Sequence, residues 1–184
     1  MKVIDIDQIR LIQPALTVLI SSTYEGKDAL MAAAWVTPVS YIPPRVAVAI
    51  SPERYTYNIV KGSNMFAINI MEFEYVDSVC KAGVISGREY SDKFSAVKLT
   101  KARGKALPIA IVKEAIGVLE CKVINSIPTG DHELFIADVI LAYVNKDKAY
   151  STHWEIKYYN PVFYISEGHF MTASKASLKK YEIT

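Results

Sequence analysis

Residues 116–144 read IGVLECKVINSIPTGDHELFIADVILAYV, and they contain two strand patterns separated by a turn. Within Ile116–Val123, apolar residues alternate with Glu120 and Lys122, which is the period of a half-buried strand. The second pattern, Leu134–Val144, follows a connection in which Pro128 and a nearby glycine favour a turn. This stretch therefore predicts a β-hairpin.

Four further stretches are rich in β-branched and aromatic residues and are bounded by turn formers, which is typical of short strands. They are Thr17–Ser21, Val46–Ile50, Met65–Ile70 and Val162–Ile165. Many strands would leave exposed sheet edges unless the sheet closes on itself. The sequence therefore predicts a mainly β fold, a closed or partly open β-barrel with a few short peripheral helices.

Two short helices are predicted. The first covers Arg54–Lys61, with a start signal at Ser51-Pro52-Glu53 and a stop at Gly62. The second covers Glu72–Ala82 and ends at Gly83. Because there is no repeat, no low-complexity tract and no segment with the composition of a linker, we expect one domain over residues 1–184.

The composition describes a folded chain without strong charge bias. Of 184 residues, 51% are hydrophobic and 22% are charged, which excludes disorder. The net charge is +2 and no basic stripe is present, so nucleic acid is not expected as a partner. Cys80 and Cys121 are far apart and only three histidines accompany them, so we expect no structural zinc and no disulfide.

We expect a cytoplasmic protein that makes no membrane contact. Asp5 and Asp7 lie where a signal peptide would have its apolar core. The longest uncharged run, Ala29–Pro44, is shorter than a membrane span and contains three prolines. The low cysteine content agrees with a reducing compartment.

The common catalytic signatures (G-x-S-x-G, the P-loop, G-x-G-x-x-G and H-E-x-x-H) are missing, but several stretches are candidate sites. Residues 29–40, ALMAAAWVTPVS, have small side chains that would let a flat heteroaromatic ring approach an extended backbone. A tight strand crossing would explain them equally well. Ser51–Thr56 combines hydroxyls and Arg54 with a predicted helix start, which suits a phosphate, or it is an ordinary capped helix.

Two polar stretches complete the set. Residues 86–94, SGREYSDKF, offer Arg88 and Lys93 as cations, or they form a solvated surface loop. Residues 130–133, GDHE, place His132 at the hairpin turn. Its charge can change near neutral pH, so it could serve a substrate or a redox partner, or it is simply exposed.

In this order, the stretches resemble the flavin reductase family, which has the FMN-binding split β-barrel fold. The family includes NAD(P)H:flavin oxidoreductases, ferric reductases and flavoredoxin-like proteins. The resemblance runs from about Ile12 to Phe170. Its pieces are Met31–Trp35 with Ser40 and Pro43-Pro44, Val46–Thr56, Phe66–Asn69, Ser86–Arg88 with Asp92–Phe94, Gly130–His132, and Asn160–Tyr164.

The resemblance implies FMN as the cofactor, NAD(P)H as the electron donor, and a homodimer with FMN near the interface. It places Met31, Ala32, Ala33, Ala34 and Trp35 behind the isoalloxazine ring, Thr37 and Ser40 beside the flavin, and Ser51, Arg54, Thr56 and the positive charge of Lys93 near the phosphate. It puts His132 on the nicotinamide side as the catalytic residue. Two departures are Ala29, where the family often has asparagine, and the lack of a cysteine beside Ser40 or Ser51.

The function implied by the resemblance is that of an FMN-binding oxidoreductase, a flavin or ferric reductase. It would pass electrons from NAD(P)H through FMN to a free flavin, a ferric chelate or a protein acceptor. Two alternatives stay open: a flavoredoxin-like electron carrier without its own pyridine nucleotide site, and a dimeric barrel that binds no flavin.

Overall fold

The computed structural model describes residues 9–145, 153–155, 157–174 and 176. The strands are β1 (Ala15–Leu16), β2 (Val18–Tyr24), β3 (Lys27–Ala33), β4 (Val36–Ser40), β5 (Arg45–Ile50), β6 (Met65–Ile70), β7 (Lys101–Arg103), β8 (Ala110–Val112), β9 (Gly117–Pro128), β10 (Glu133–Val144), β11 (Phe163–Ser166) and β12 (His169–Met171). The helices are α1 (Tyr55–Ser63), α2 (Val76–Val84) and α3 (Lys93–Ala96), with 3₁₀ turns at Ile9–Ile12 and Phe73–Tyr75.

Seven strands form one antiparallel sheet in the order β3-β2-β6-β9-β10-β5-β4. The two end strands, β3 and β4, are joined by Ala34 and Trp35 alone, so the sheet must curl until its edges meet at this corner. The Trp35 carbonyl accepts a hydrogen bond from the Ala49 N–H at 3.0 Å, which fixes the corner to β5. Within the described residues β3 and β4 do not pair, so the mainly β fold is confirmed and a closed barrel stays a prediction.

The predicted hairpin is confirmed. Strands β9 and β10 pair antiparallel from Pro128 opposite Glu133 to Gly117 opposite Val144. The Thr129 N–H donates to the His132 carbonyl at 2.8 Å and closes the turn. The other strand predictions are confirmed as β2, β5, β6 and β11, with Met65–Ile70 matching at both ends and the others shifted at their boundaries.

The helix boundaries correct the prediction. Helix α1 begins at Tyr55, because residues 51–54 instead form a turn in which the Arg54 N–H donates to the Ser51 carbonyl at 3.0 Å. The helix continues through Gly62 and ends at Ser63, since Asn64 adopts the left-handed conformation with φ of 54°. A Cβ at Gly62 would lie 2.5 Å from the Tyr24 ring, so the Tyr24 side chain of β2 packs directly on this glycine.

The second predicted helix is split into the 3₁₀ turn Phe73–Tyr75 and α2, which continues past Gly83 to Val84. Helix α3 was not predicted, although its sequence signal is present. The Asp92 side chain accepts hydrogen bonds from the N–H groups of Phe94 and Ser95, which is N-capping geometry. Residues 86–94 were expected to form a loop, but the chain is helical from Lys93 onward.

Two groups of buried side chains position the helices against the sheet. The first fills the interior of the sheet and includes Phe66 and Phe135. The second joins Leu30 of β3 to Val79 of α2 and Phe94 of α3. Each large apolar side chain buried in this way contributes about 1.5–3 kcal/mol. This packing holds α2 and α3 beside the end of β3.

None of the helices in the described part of the chain is long and apolar enough to span a membrane.

Candidate functional site

Two adjoining pockets lie where β3, α1, α2 and the hairpin turn meet. The cationic pocket has a volume of about 300 Å³ and is lined by Arg54, Thr56, Arg88 and Lys93, among others. The alanine pocket has a volume of about 240 Å³ and is lined by Ala32, Ala33, Ala34, Trp35, Ala49, Ser51 and His132, among others. Met31, Ala32 and Arg54 line both pockets, so together they form one groove.

Lys93 forms the floor of the cationic pocket. Its side chain is only 6% exposed, and its Nζ donates to the Ala82 carbonyl at 2.7 Å. Burial, with a smaller effect from the neighbouring Arg54 charge, lowers the pKa of Lys93 to about 8. An ammonium group has three donors, and this one hydrogen bond leaves donors available for an anion in the pocket.

Two arginines extend the positive charge. Arg54 is exposed, and its guanidinium donates to the Gly83 carbonyl at 3.4 Å. Arg88 donates to the Glu53 carbonyl at 2.9 Å. Both are held by backbone oxygens, which do not neutralise their charge. Glu53 is the one acidic residue among the described residues that line this pocket, so the pocket carries a net positive charge.

The first turn of α1 faces the same pocket. Tyr55 and Thr56 line it, and no acidic side chain lies in that turn. The first N–H groups of a helix have no partner within the helix and carry partial positive charge. Beside Arg54 and Lys93, they make this end of the groove suitable for a phosphate group. The predicted helix start lies within a few residues of this pocket, but its proposed Ser51 cap was wrong, because Arg54 is the N-cap residue.

The alanine pocket has small, flat walls. Ala33 is buried and Ala34 half-buried, where the chain turns from β3 towards β4. The sequence had predicted a strand over Met31–Trp35. In the structure β3 ends at Ala33, and Trp35 lies two residues beyond it. Its ring centroid lies 4.6 Å from that of His132, at an interplanar angle of 44°.

His132 is oriented by its neighbour in the hairpin turn. The His132 Nδ1 lies 2.9 Å from Oδ1 of Asp131. This hydrogen bond, with the charge of the imidazole, holds the pKa of Asp131 below its usual value. A proton on Nδ1 leaves Nε2 as the ring nitrogen available to a ligand.

The structure brings together most of the predicted site residues. Met31, Ala32, Ala33, Ala34, Trp35, Ser51, Arg54, Thr56, Lys93 and His132 all line the groove. Thr37 and Ser40 do not line either pocket, because β4 carries them away from the corner along the other sheet edge. Their place beside a flavin stays a prediction.

Sequence reasoning missed two parts of the groove. Residues 82–85 of α2 and its C-terminal end line the cationic pocket, and Tyr164 of β11 lines the alanine pocket. Tyr164 belongs to the Asn160–Tyr164 piece of the resemblance but was given no role there, and no local motif marks residues 82–85. A Cβ at Gly83 would lie 3.4 Å from the Cβ of Ala32, so the small residues on both elements allow α2 to pack closely on β3.

The arrangement fits a ligand with an anionic end and a flat ring. The cationic pocket offers Lys93, Arg54 and the α1 N–H groups, and the adjoining alanine pocket offers apolar walls and two rings. Within the described residues, no cluster of three or more histidine, cysteine, aspartate or glutamate side chains could hold a metal ion. The fold and groove together define a mainly β protein suited to a phosphorylated, ring-bearing cofactor.

The chain belongs to the flavin reductase like domain family, whose model matches residues 12–166. An uncharacterised protein of Aeropyrum pernix is 32% identical over 156 residues, which are 85% of this chain and 59% of that protein. The chain therefore spans about three-fifths of the length of that relative. The ferric-chelate reductase (NAD(P)H) of Archaeoglobus fulgidus is 27% identical over 136 residues, 73% of this chain and 79% of the relative.

Solved structures show the same fold. Flavoredoxin of Desulfovibrio vulgaris (Miyazaki F) superposes with a TM-score of 0.85 at 26% identity, covering 98% of this chain and 97% of that one. An FMN-binding protein of Thermus thermophilus superposes with a TM-score of 0.83 at 19% identity, covering 98% of both chains. This second likeness concerns the fold alone.

Proposed function

We propose that the protein is an oxidoreductase that binds FMN in the groove and passes electrons from NAD(P)H to an acceptor. The observation that carries the proposal is the continuity of the two pockets, which share Met31, Ala32 and Arg54. A cationic pocket that adjoins a flat apolar pocket suits one ligand that carries both a phosphate group and a three-ring system. The family membership and the name of the Archaeoglobus fulgidus relative support the same function.

The cationic pocket would hold the phosphate of FMN. Arg54 and Lys93 would supply charge-assisted hydrogen bonds, and the Thr56 N–H would donate from the first turn of α1. Lys93 is buried, so its interaction with an anion is screened less than that of a surface lysine. These residues would determine affinity for the phosphate and the direction in which the ring enters the groove.

The alanine pocket would hold the isoalloxazine ring. Ala32, Ala33 and Ala34 have no side chain beyond Cβ, so a planar ring can lie close to their backbone. Bound FMN supplies the redox chemistry by accepting a hydride and releasing the electrons. The protein would orient the ring, exclude water and place His132 next to the reacting face. None of these roles needs a nucleophilic side chain, which agrees with a sequence that has no nucleophile motif.

His132 would act on the nicotinamide side through Nε2. Its hydrogen bond to Asp131 orients the imidazole, and the Trp35 ring packs against it. In this position it could hydrogen-bond the carboxamide of the nicotinamide and hold it against the flavin. We further propose a cytoplasmic homodimer, and a free flavin, a ferric chelate or a protein as acceptor.

A second candidate function is a flavoredoxin-like electron carrier. The likeness to Desulfovibrio vulgaris flavoredoxin, at 26% identity over 98% of the chain, favours it. In that case FMN would be held in the same groove, but electrons would arrive from a reduced protein donor. His132 would then have no role in binding a pyridine nucleotide.

An anaerobic titration separates the two candidates. FMN-loaded protein is mixed with NADH and then with NADPH while flavin absorbance is followed. Rapid bleaching by either nucleotide is the expected result and supports the reductase. Bleaching only by a reduced protein donor supports the carrier. Protein that neither binds FMN nor gains thermal stability from it would reject both, because a ligand that binds the native state must stabilise it.

A further inference from the structure

We propose that Glu133 is a positioning residue whose buried carboxylate ties helix α1 to the hairpin turn that carries His132. The observation behind the proposal is a contact among three side chains, Tyr57 and Lys61 of α1 and Glu133 at the start of β10. None of the three lines the groove, so any effect on the reaction must pass through a neighbour. The inference rests on the proposed function, in which His132 lies on the nicotinamide side.

The Glu133 carboxylate is buried and charged. The residue is only 6% exposed. The Tyr57 hydroxyl donates to its Oε2 at 2.5 Å, and the Lys61 ammonium donates to Oε1 and forms an ion pair with it. Hydrogen bonds from Lys61, and then from Ser126 and Tyr57, lower the pKa of Glu133 to about 2, so it is ionised at neutral pH. A buried charge without a partner is costly, so the carboxylate favours the position in which α1 supplies these donors.

Helix α1 holds the hairpin from one of its faces. Tyr57 and Lys61 are four residues apart, so they lie on the same side of the helix. Lys61 also donates to Oγ of Ser126 in β9 at 3.2 Å. The Tyr57 ring packs on that of Phe135 in β10, with the ring centroids 5.7 Å apart. Both strands of the hairpin are therefore attached to α1 close to the turn that joins them.

This attachment fixes His132 because His132 immediately precedes Glu133 in the chain. Asp131 orients the imidazole, but its side chain is 89% exposed and lies in the same turn, so it does not fix the turn relative to the groove. At the other end of the attachment, Thr56 in the first turn of α1 lines the cationic pocket. Through Glu133, α1 would set the position of His132 relative to the proposed phosphate site.

The kinetic experiment follows anaerobic reduction of the FMN-loaded full chain by NADH or NADPH in a stopped-flow instrument. Glu133→Gln removes the charge, and Tyr57→Phe removes the hydroxyl but keeps the ring that packs on Phe135. Each variant should slow the reduction by about 5- to 20-fold, because small displacements of a positioned group are costly. FMN affinity should change by less than about 2-fold. Asp138→Asn, which breaks an ion pair to Arg45 on the same strand, is the matched control and should leave the rate unchanged.

A role that acts through His132 has two specific signatures. Because His132→Ala already removes the imidazole, adding Glu133→Gln to it should slow the reduction by less than about 2-fold further. NMR of the full chain without nucleotide gives a measurement that is independent of activity. The imidazole proton signals of His132, assigned by their loss in H132A, should shift in E133Q as the imidazole moves relative to the Trp35 ring. The signals of His169 should stay in place.

Two outcomes would overturn the proposal. They are rate losses that add in the double variant, and His132 signals that stay unchanged in both E133Q and Y57F, because an ion pair with a structural role alone would lower stability without either signature. Wild-type protein that neither nucleotide reduces would reject the proposed function and this inference with it. Rapid reduction of the wild type together with additive losses rejects the role of Glu133 alone.

Discussion

The rings of Trp35 and His132 lie 4.6 Å apart, although one follows the end of β3 and the other lies in the turn between β9 and β10. The sheet register explains their contact. Ala49 donates to the Trp35 carbonyl and pairs with Leu134, two residues beyond His132. The paired strands β5 and β10 therefore bring the hairpin turn against the corner of the sheet.

Replacement of His132 by alanine should slow NAD(P)H oxidation by on the order of 10- to 100-fold while FMN stays bound. The physical reason is loss of the ring that would hold the nicotinamide, with the phosphate site untouched. Stopped-flow absorbance under anaerobic conditions measures the rate. His169→Ala, at an exposed histidine outside these pockets, serves as the control. An unchanged rate in H132A would remove His132 from the site.

Arg54→Ala should weaken FMN by about 10- to 100-fold, since a charge-assisted hydrogen bond contributes about 1.5–3 kcal/mol. Riboflavin has no phosphate, so its affinity should change much less. Fluorescence titration of both flavins against the wild-type and variant proteins makes the comparison. Equal losses for the two ligands would contradict the assignment of Arg54 to the phosphate.

FMN affinity should fall as the pH rises through about 8, the pKa to which burial and the Arg54 charge lower Lys93. Below that pH the ammonium is charged and attracts the phosphate, and above it the amine is neutral. A bound phosphate favours the charged form, so the pKa of Lys93 is higher in the complex, and the affinity falls over the pH range between the two pKa values. Titration of FMN affinity across this range tests the prediction, and Lys93→Met should lack the step. A step of equal size in K93M would assign it to another group.

Glu120→Gln should lower the free energy of unfolding by about 1–3 kcal/mol, because an amide nitrogen would then face backbone donors. The fully buried Glu120 carboxylate accepts from the N–H groups of residues 105–107 at 2.5–2.9 Å and from the Tyr143 hydroxyl at 3.0 Å. Urea denaturation measures the loss, and Glu74→Gln at an exposed position is the control.

The pH dependence of the Glu120 contribution follows from its hydrogen bonds. Burial alone would raise the pKa of Glu120, but the N–H groups of Leu107, Lys105 and Ala106 outweigh it and lower the pKa. A folded-state pKa below the unfolded value stabilises the fold at neutral pH, and this contribution is lost as the pH falls below the ordinary glutamate range. Stability curves that run parallel for wild type and E120Q on acidification would argue against this account.

Local patterns were sufficient for much of the fold. Alternation in residues 119–123 predicted β9, and turn formers at 128–130 predicted the hairpin, because a period of two and a tight turn depend on neighbouring residues alone. The helix boundaries were less predictable. Ser51-Pro52 carries a start signal, yet the turn at residues 51–54 places the start of α1 at Tyr55.

The sequence alone determined the mainly β class and the identity of the charged and small residues, since these follow from composition and short-range periodicity. Only the tertiary structure decided that Arg54, Lys93 and His132 share one groove, that Thr37 and Ser40 lie outside it, and that α2 forms its wall. These arrangements depend on strand register, on the curl of the sheet and on close packing of Gly83 against Ala32. Such contacts join residues far apart in the chain, and no local pattern specifies them.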